Sequence, residues 1–139
     1  MYPVLSHVYF YKPPNKSTMN LHRYIYFNSR DTFFRISLSQ IAFFAADGNY
    51  TSLQLTHGQK LSFTFSLQKM EQYLAEKLDE DAKIFARIGK SFIINLHYVY
   101  QIDIVKQKLH LLDAVTQKHY MLEVSKEALR NLRKVYANK

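Results

Sequence analysis

Residues 85–95 read FARIGKSFIIN, and they set Gly89, Lys90 and Ser91 in a row inside an apolar stretch. Gly-Lys-Ser is the tail of a phosphate-binding loop, whose full pattern needs a further glycine five residues before Gly89. Position 84 is Ile84. That loop also needs a strand before it and a helix after it. Here a helical pattern and an acidic turn precede, and the β-branched FII that follows reads as a strand, so nucleotide hydrolysis is rejected. Other catalytic patterns are missing too. The chain has no cysteine, which removes thiolate catalysis, disulfides and cysteine-ligated metals. It has no G-x-S-x-G elbow and no H-E-x-x-H pair, and its six histidines (His7, His22, His57, His97, His110, His119) are scattered. Asp79, Glu80 and Asp81 stand together without a histidine or further acid nearby and read as a solvated turn. No enzyme, metal or cofactor is expected.

Two lysines hold more interest. Lys126 falls at the first helical position after Ser125, where the helix dipole disfavours a cation. Either it is a plain surface lysine, or it converges with the free amides of the helix N-terminus on a phosphate or base edge. Lys90 is a similar lone cation on a glycine-flanked tip.

Charge points the same way. The 139 residues carry a net +8, and the excess is uneven: residues 1–82 hold 8 basic and 7 acidic side chains, residues 83–139 hold 11 and 4. A basic half suggests a polyanionic partner, although moderate basicity can also serve solubility alone. The longest uncharged runs, such as ISLSQIAFFAA (36–46), are too short to span a membrane, and the opening MYPVLSHVYFYKPP lacks a basic start followed by an aliphatic block. No membrane contact and a cytoplasmic location are therefore expected.

The elements that must position these residues are mostly strands, as the 11 tyrosines and 10 phenylalanines favour. Residues 1–22 are set apart as an extension or linker broken by Pro13-Pro14, its aromatic start docking on the domain or on a partner; residues 23–139 form the domain. YIYFN and TFFRISL flank a turn at Ser29-Arg30-Asp31, and IAFFAA reads as a buried strand ending at Asp47-Gly48-Asn49. YTSLQLT and KLSFTF flank His57-Gly58, with Leu53, Leu55, Leu61, Phe63 and Phe65 alternating. Leu67, Met70, Leu74 and Leu78 predict a helix capped by Ser66. SFIIN, YVYQIDIV, KLHLLD and KHYMLEV read as strands, turning near Lys106-Gln107 and Thr116-Gln117. SKEALRNLRKVY closes the chain as an amphipathic helix capped by Ser125.

FARIGKSFIIN resembles the signature of the LytTR family of bacterial DNA-binding domains, roughly F-x-R-x-x-[RK]-S-[FY]-[IV]-[VI]-N. QIAFFAADGNYTSLQLTHGQ, the intervening helix beginning SLQKMEQYL, and LEVSKEALRNL are similar to that family's elements in the same order, over about residues 24–136. The resemblance implies a mostly β, elongated, multi-sheet domain with one short internal helix and a C-terminal helix. It implies a non-enzymatic transcription regulator whose loops enter successive major grooves of double-stranded DNA and bend it. Carried over by motif position, the contacts are the loop at Asn49 and Tyr50, then Lys90 with Ser91, then Lys126 with Ser125. Arg87 either reaches a phosphate or braces the loop carrying Lys90. Arg130 is a candidate phosphate contact, with Arg133, Lys134, Lys60, Lys106, Lys108 and Lys118, if they share a face. Phe85, Ile88, Phe92 and Ile94 are read as core, and Asn95 as satisfying backbone groups at a strand end.

Departures matter as well. Gly89 stands where the family often has His or Asn, and Ala45 replaces a frequent acid. Lys at both basic positions lacks the planar fork for bidentate guanine contact, which shifts discrimination toward phosphates and DNA shape. Family members usually follow a receiver domain, for which 22 residues are too few. Regulatory input is then expected from a separate signalling partner, from abundance or from the N-terminal segment, unless the chain is part of a longer protein. A homodimer on repeated half-sites fits the same picture. The alternative is a protein-interaction module whose basic surface does not bind DNA.

Overall fold

The computed structural model describes residues 4–5, 7–10, 23–28 and 30–137, the first two stretches by their backbone alone. Twelve strands and two α-helices are present among them. β1 is Val4–Leu5, β2 His7–Phe10, β3 Tyr24–Asn28, β4 Phe33–Ser37, β5 Ile41–Asp47, β6 Tyr50–Leu55 and β7 Lys60–Phe63. Helix α1 (Leu67–Leu78) and a 3-10 turn (Asp79–Ile84) lead to β8 (Phe85–Ile88) and β9 (Phe92–Asn95). Then follow β10 (Val99–Asp103), β11 (Lys108–Asp113), β12 (Lys118–Glu123) and α2 (Lys126–Ala137). A central sheet of order β1-β7-β6-β5-β9-β8 lies between two three-stranded sheets, β2-β3-β4 and β10-β11-β12. Every pairing is antiparallel except β1 with β7.

The central sheet is apolar on both faces, which is why IAFFAA and FIIN run without polar alternation. One core gathers Ile41, Phe44, Leu53, Leu61, Phe63 and Ile93 against Ile25, Phe27 and Ile36 of the β2-β3-β4 sheet and the buried stripe of α1. The other gathers Ala42, Phe43, Ile88 and Ile94 against Leu109, Leu111 and Leu122 of the β10-β11-β12 sheet and Leu129 and Leu132 of α2. A bulge makes this division work. Ile41 pairs with Leu55 and Phe43 with Gln54, so Ala42 and Phe43 together oppose one residue. Both then face the second core, while Ile41 and Phe44 face the first.

Both helices begin as the sequence indicates. Ser66 Oγ accepts from the Lys69 amide at 3.2 Å, and Ser125 Oγ accepts from the Ala128 amide at 3.2 Å. The hairpins β3–β4 and β6–β7 turn where Arg30-Asp31 and His57-Gly58 were read. Asn95 is buried and spends its side chain on backbone: Nδ2 donates to Ile41 O at 2.9 Å and Oδ1 accepts from the His97 amide at 2.9 Å. It ties the end of β9 to the start of β5.

Three sequence expectations change. A strand, β8, does precede Gly89, because FARI pairs along the whole of β9. The nucleotide reading still fails, since a second strand follows and position 84 is Ile84. Asp81 is not simply solvated: its carboxylate takes the Arg23 guanidinium at 2.6 Å, and Arg23 is buried. Phe65 falls beyond β7 and packs at the margin of the first core on Phe63 and Tyr73. Of the expected extension, residues 4–5 and 7–10 run as strands against β7 and β3. Residues 11–22, with the Pro13-Pro14 linker, lie outside the described residues.

Phe44 has no solvent exposure and meets Phe85 edge-on across the first core. Phe44→Ala is expected to lose about 3–5 kcal/mol in urea unfolding. Val115→Ala, at a side chain 92% exposed, should stay within about 0.5 kcal/mol of the parent.

Candidate nucleic-acid interface

β5 runs antiparallel to β9, with Ala45 opposite Phe92, and the Ala46 amide donates to Ser91 O at 2.8 Å. The end of β5 therefore lies beside the start of β9. Consequently the turn that carries Gly48, Asn49 and Tyr50 and the turn Gly89-Lys90-Ser91 leave the central sheet at the same end. Each turn needs a left-handed residue, and glycine supplies it: Gly48 has φ +61 and Gly89 φ +58. No atom lies within 4 Å of a Cβ built at either position, so backbone conformation rather than space selects glycine there. Asn49, Lys90 and Ser91 are exposed, and Tyr50 is half exposed.

Arg87 makes contacts that brace the tip. Nε donates to Gly89 O at 3.0 Å and an Nη to Lys90 O at 3.4 Å, while the other Nη meets Glu71 Oε1 at 2.9 Å. The planar fork thus clamps the carbonyls of the tip and ties them to α1. Nothing in the sequence singled out Glu71, which lies on the polar side of an ordinary amphipathic helix. Only the fold reveals that this side faces Arg87.

The third expected contact lies across a groove from the second. A cleft of about 370 Å³ is lined by Arg87, Ile88 and Gly89 on one side and by Ser125, Ala128 and Asn131 on the other. Ser125 caps α2, and Lys126 opens it exposed to solvent. Helix α2 is seated by Leu129 and Leu132 in the second core and by Tyr136, whose hydroxyl donates to Leu96 O at 2.7 Å. Burial raises the Tyr136 hydroxyl's pKa, keeping that donor protonated.

The remaining basic candidates divide by position. Arg130, Arg133 and Lys134 border one shallow hollow on the exposed side of α2, together with Glu127. Lys106 borders a second hollow with Ser125, because the Val124 amide donates to Gln107 O and draws the β10–β11 turn against the start of α2. Lys108 is engaged by Glu123 at 2.6 Å. Lys60 pairs with Gln54, and Lys118 lies under Gly58, so both sit at the opposite end of the central sheet from the Gly48 turn.

This architecture has a match. The model of the LytTr DNA-binding domain family covers residues 31–137, and the chain belongs to that family. It is a DNA-binding domain of the kind used in transcription regulation. Among solved structures it is similar to the LytTr DNA-binding domain of a putative methyl-accepting/DNA response regulator from Bacillus cereus. That match has a TM-score of 0.57 and 18% identity, covering 81% of this chain and 95% of that one. No curated protein matches the chain. No helix among the described residues is long and apolar enough to cross a membrane.

Arg87→Ala removes the clamp while leaving the partly exposed Glu71 to water. Backbone order parameters of Gly89 and Lys90 should fall from about 0.85 toward 0.6 or below, with little change in β9. Unchanged values at the tip would show that the turn holds itself without Arg87.

Proposed function

We propose that the chain reads double-stranded DNA with three elements at one end of the molecule. These are the Gly48–Tyr50 turn, the Gly89–Ser91 turn and the N-terminus of α2. Loops of this surface enter successive major grooves and bend the duplex. The observation that carries this reading is the β5–β9 register, which sets the two turns side by side and leaves Gly89 facing Ser125 across one cleft. Asn49, Tyr50, Lys90 and Lys126 contact the DNA directly. Ser91 and Ser125 offer hydroxyls at the same places, and Arg130 reaches a phosphate alongside Arg133 and Lys134. Arg87 serves chiefly by holding the Lys90 tip.

Electrostatics favour an anion here. The first-turn amides of α2 that Ser125 does not cap carry partial positive charge, and Lys126 adds a full charge beside them, partly offset by Glu127. Such an arrangement is unfavourable in isolation and favourable around a phosphate. Lysine acts as a point charge rather than a fork, so phosphate position and DNA shape dominate over guanine readout. The reading is non-enzymatic. It includes two copies on repeated half-sites and regulatory input from a separate signalling partner in the cytoplasm.

If about six phosphates are neutralised, duplex affinity should fall roughly a thousandfold between 50 and 200 mM salt. A flat salt response would favour a protein-interaction module instead. Lys90→Ala and Lys126→Ala should each weaken binding across sequences and flatten the salt slope by about one, with the melting temperature nearly unchanged. Unfolding by either substitution would make that lysine structural. Selection from random duplexes followed by footprinting would count the half-sites.

A further inference from the structure

The outward face of the β10-β11-β12 sheet carries a second constellation, remote in kind from the basic turns. On β11, Leu109 and Leu111 point into the second core, which turns His110 outward. On β12, Leu122 and Tyr120 point inward, which turns His119 and Met121 outward. Register then sets Met121 directly opposite His110, and His119 opposite Leu112, one diagonal step away. The diagonal is closed by the side chains: His110 Nδ1 and His119 Nε2 lie 3.0 Å apart, with ring planes 3° from parallel and centroids 5.0 Å apart. The centroids are farther apart than the two nitrogens, so those nitrogens turn toward each other.

We infer that His110 and His119 form a surface chelate for a copper ion. Two imidazole nitrogens each about 2.0–2.1 Å from one ion stand roughly 2.9 Å apart at a right angle and roughly 3.3 Å apart at the tetrahedral angle. The observed 3.0 Å falls within this range, and rotation of the two facing rings, now held by their mutual hydrogen bond, aims both lone pairs at one ion; copper(II) heads the divalent affinity order for such a site. No net proton need leave. The ring that donates in the present hydrogen bond moves its proton to its other nitrogen, and both facing nitrogens then offer lone pairs. His119 is exposed and can swing to admit the ion. Met121, 53% exposed, places a thioether beside the pair, a donor that copper accepts and harder ions do not. Water completes the sphere. Among the described residues no group of three His, Cys, Asp or Glu gathers, so the two imidazoles define the site. The neighbouring acid on this face, Glu123, is held by Lys108 at 2.6 Å.

The rigid ladder makes the bite specific. β11 and β12 pair over six consecutive residues from Lys108–Glu123 to Asp113–Lys118 without a bulge. The Cβ separation of His110 and His119 is therefore fixed before any ion arrives, and binding requires rotation of the rings alone.

The test is a titration of the untagged chain with Cu(II) against a competing chelator, followed by electron paramagnetic resonance. One equivalent should bind with hyperfine splitting from two imidazole nitrogens. Changes one shell out from a metal typically cost about 10–100-fold in affinity, so His110→Ala and His119→Ala should each weaken binding at least that much. His57→Ala, at the β6–β7 turn, should bind as the parent does. Copper-induced broadening of the His110 and His119 ring signals in the parent protein gives the same readout without any substitution. Equal binding by the parent and both variants, or broadening confined to other histidines, would overturn the proposal.

Discussion

A single register, that of β5 against β9, governs the molecule. Because strand side chains alternate, a slip of one residue would exchange the faces of Phe44 and Phe43 or of Ile93 and Ile94. Both faces of the central sheet are buried, so the penalty would fall on two cores at once. The bulge at Ala42 and Phe43 tightens the constraint further. It lets two consecutive side chains enter the second core while Ile41 and Phe44 stay in the first. The same register fixes the Ala46–Ser91 hydrogen bond, and with it the adjacency of the two turns. Core packing thereby sets the spacing of the two glycine turns.

The Lys90 tip shows how that rigidity is carried outward. Ile88 and Phe92 pair at the base of the turn, and Ile88 is buried in the second core. From the other side Glu71 of α1, a helix packed on the first core, holds Arg87, and Arg87 holds the tip carbonyls. A lysine on such a support loses little backbone freedom on binding, which matters where each phosphate contact contributes modestly. Helix α2 meets the tip from the second core, so the proposed interface draws on both halves of the hydrophobic interior.

Much of this was legible in the sequence, for local reasons. Ser66 and Ser125 announced both helices, because a cap and an apolar stripe are short-range signals. The His57-Gly58 hairpin showed as period-two alternation through Leu53, Leu55, Leu61 and Phe63. FARIGKSFIIN and SKEALRNL located Lys90 and Lys126, and the family match spans both segments. What stayed hidden depends on contacts distant in sequence. FARI did not read as a strand because Phe85, Ala86, Arg87 and Ile88 look to three different environments, namely two cores and α1. Asp81 looked solvated because its partner, Arg23, lies 58 residues away. The turns near Gln107 and Gln117 were legible, but their left-handed backbone was not, since no glycine marks it. Whether the basic residues share a face was likewise a question only the sheet order could answer, and it separates Lys60 and Lys118 from the rest.

The central claim is that three segments distant in sequence form one DNA-facing surface. Backbone amide shift perturbation on titration with a selected duplex tests it most directly. The account predicts the largest shifts at Gly48–Tyr50, Gly89–Ser91 and Ser125–Lys126, with His57, Gly58 and Ala114–Thr116 at the far end of the molecule unmoved. Perturbation centred on that far end, with the two glycine turns silent, would contradict it.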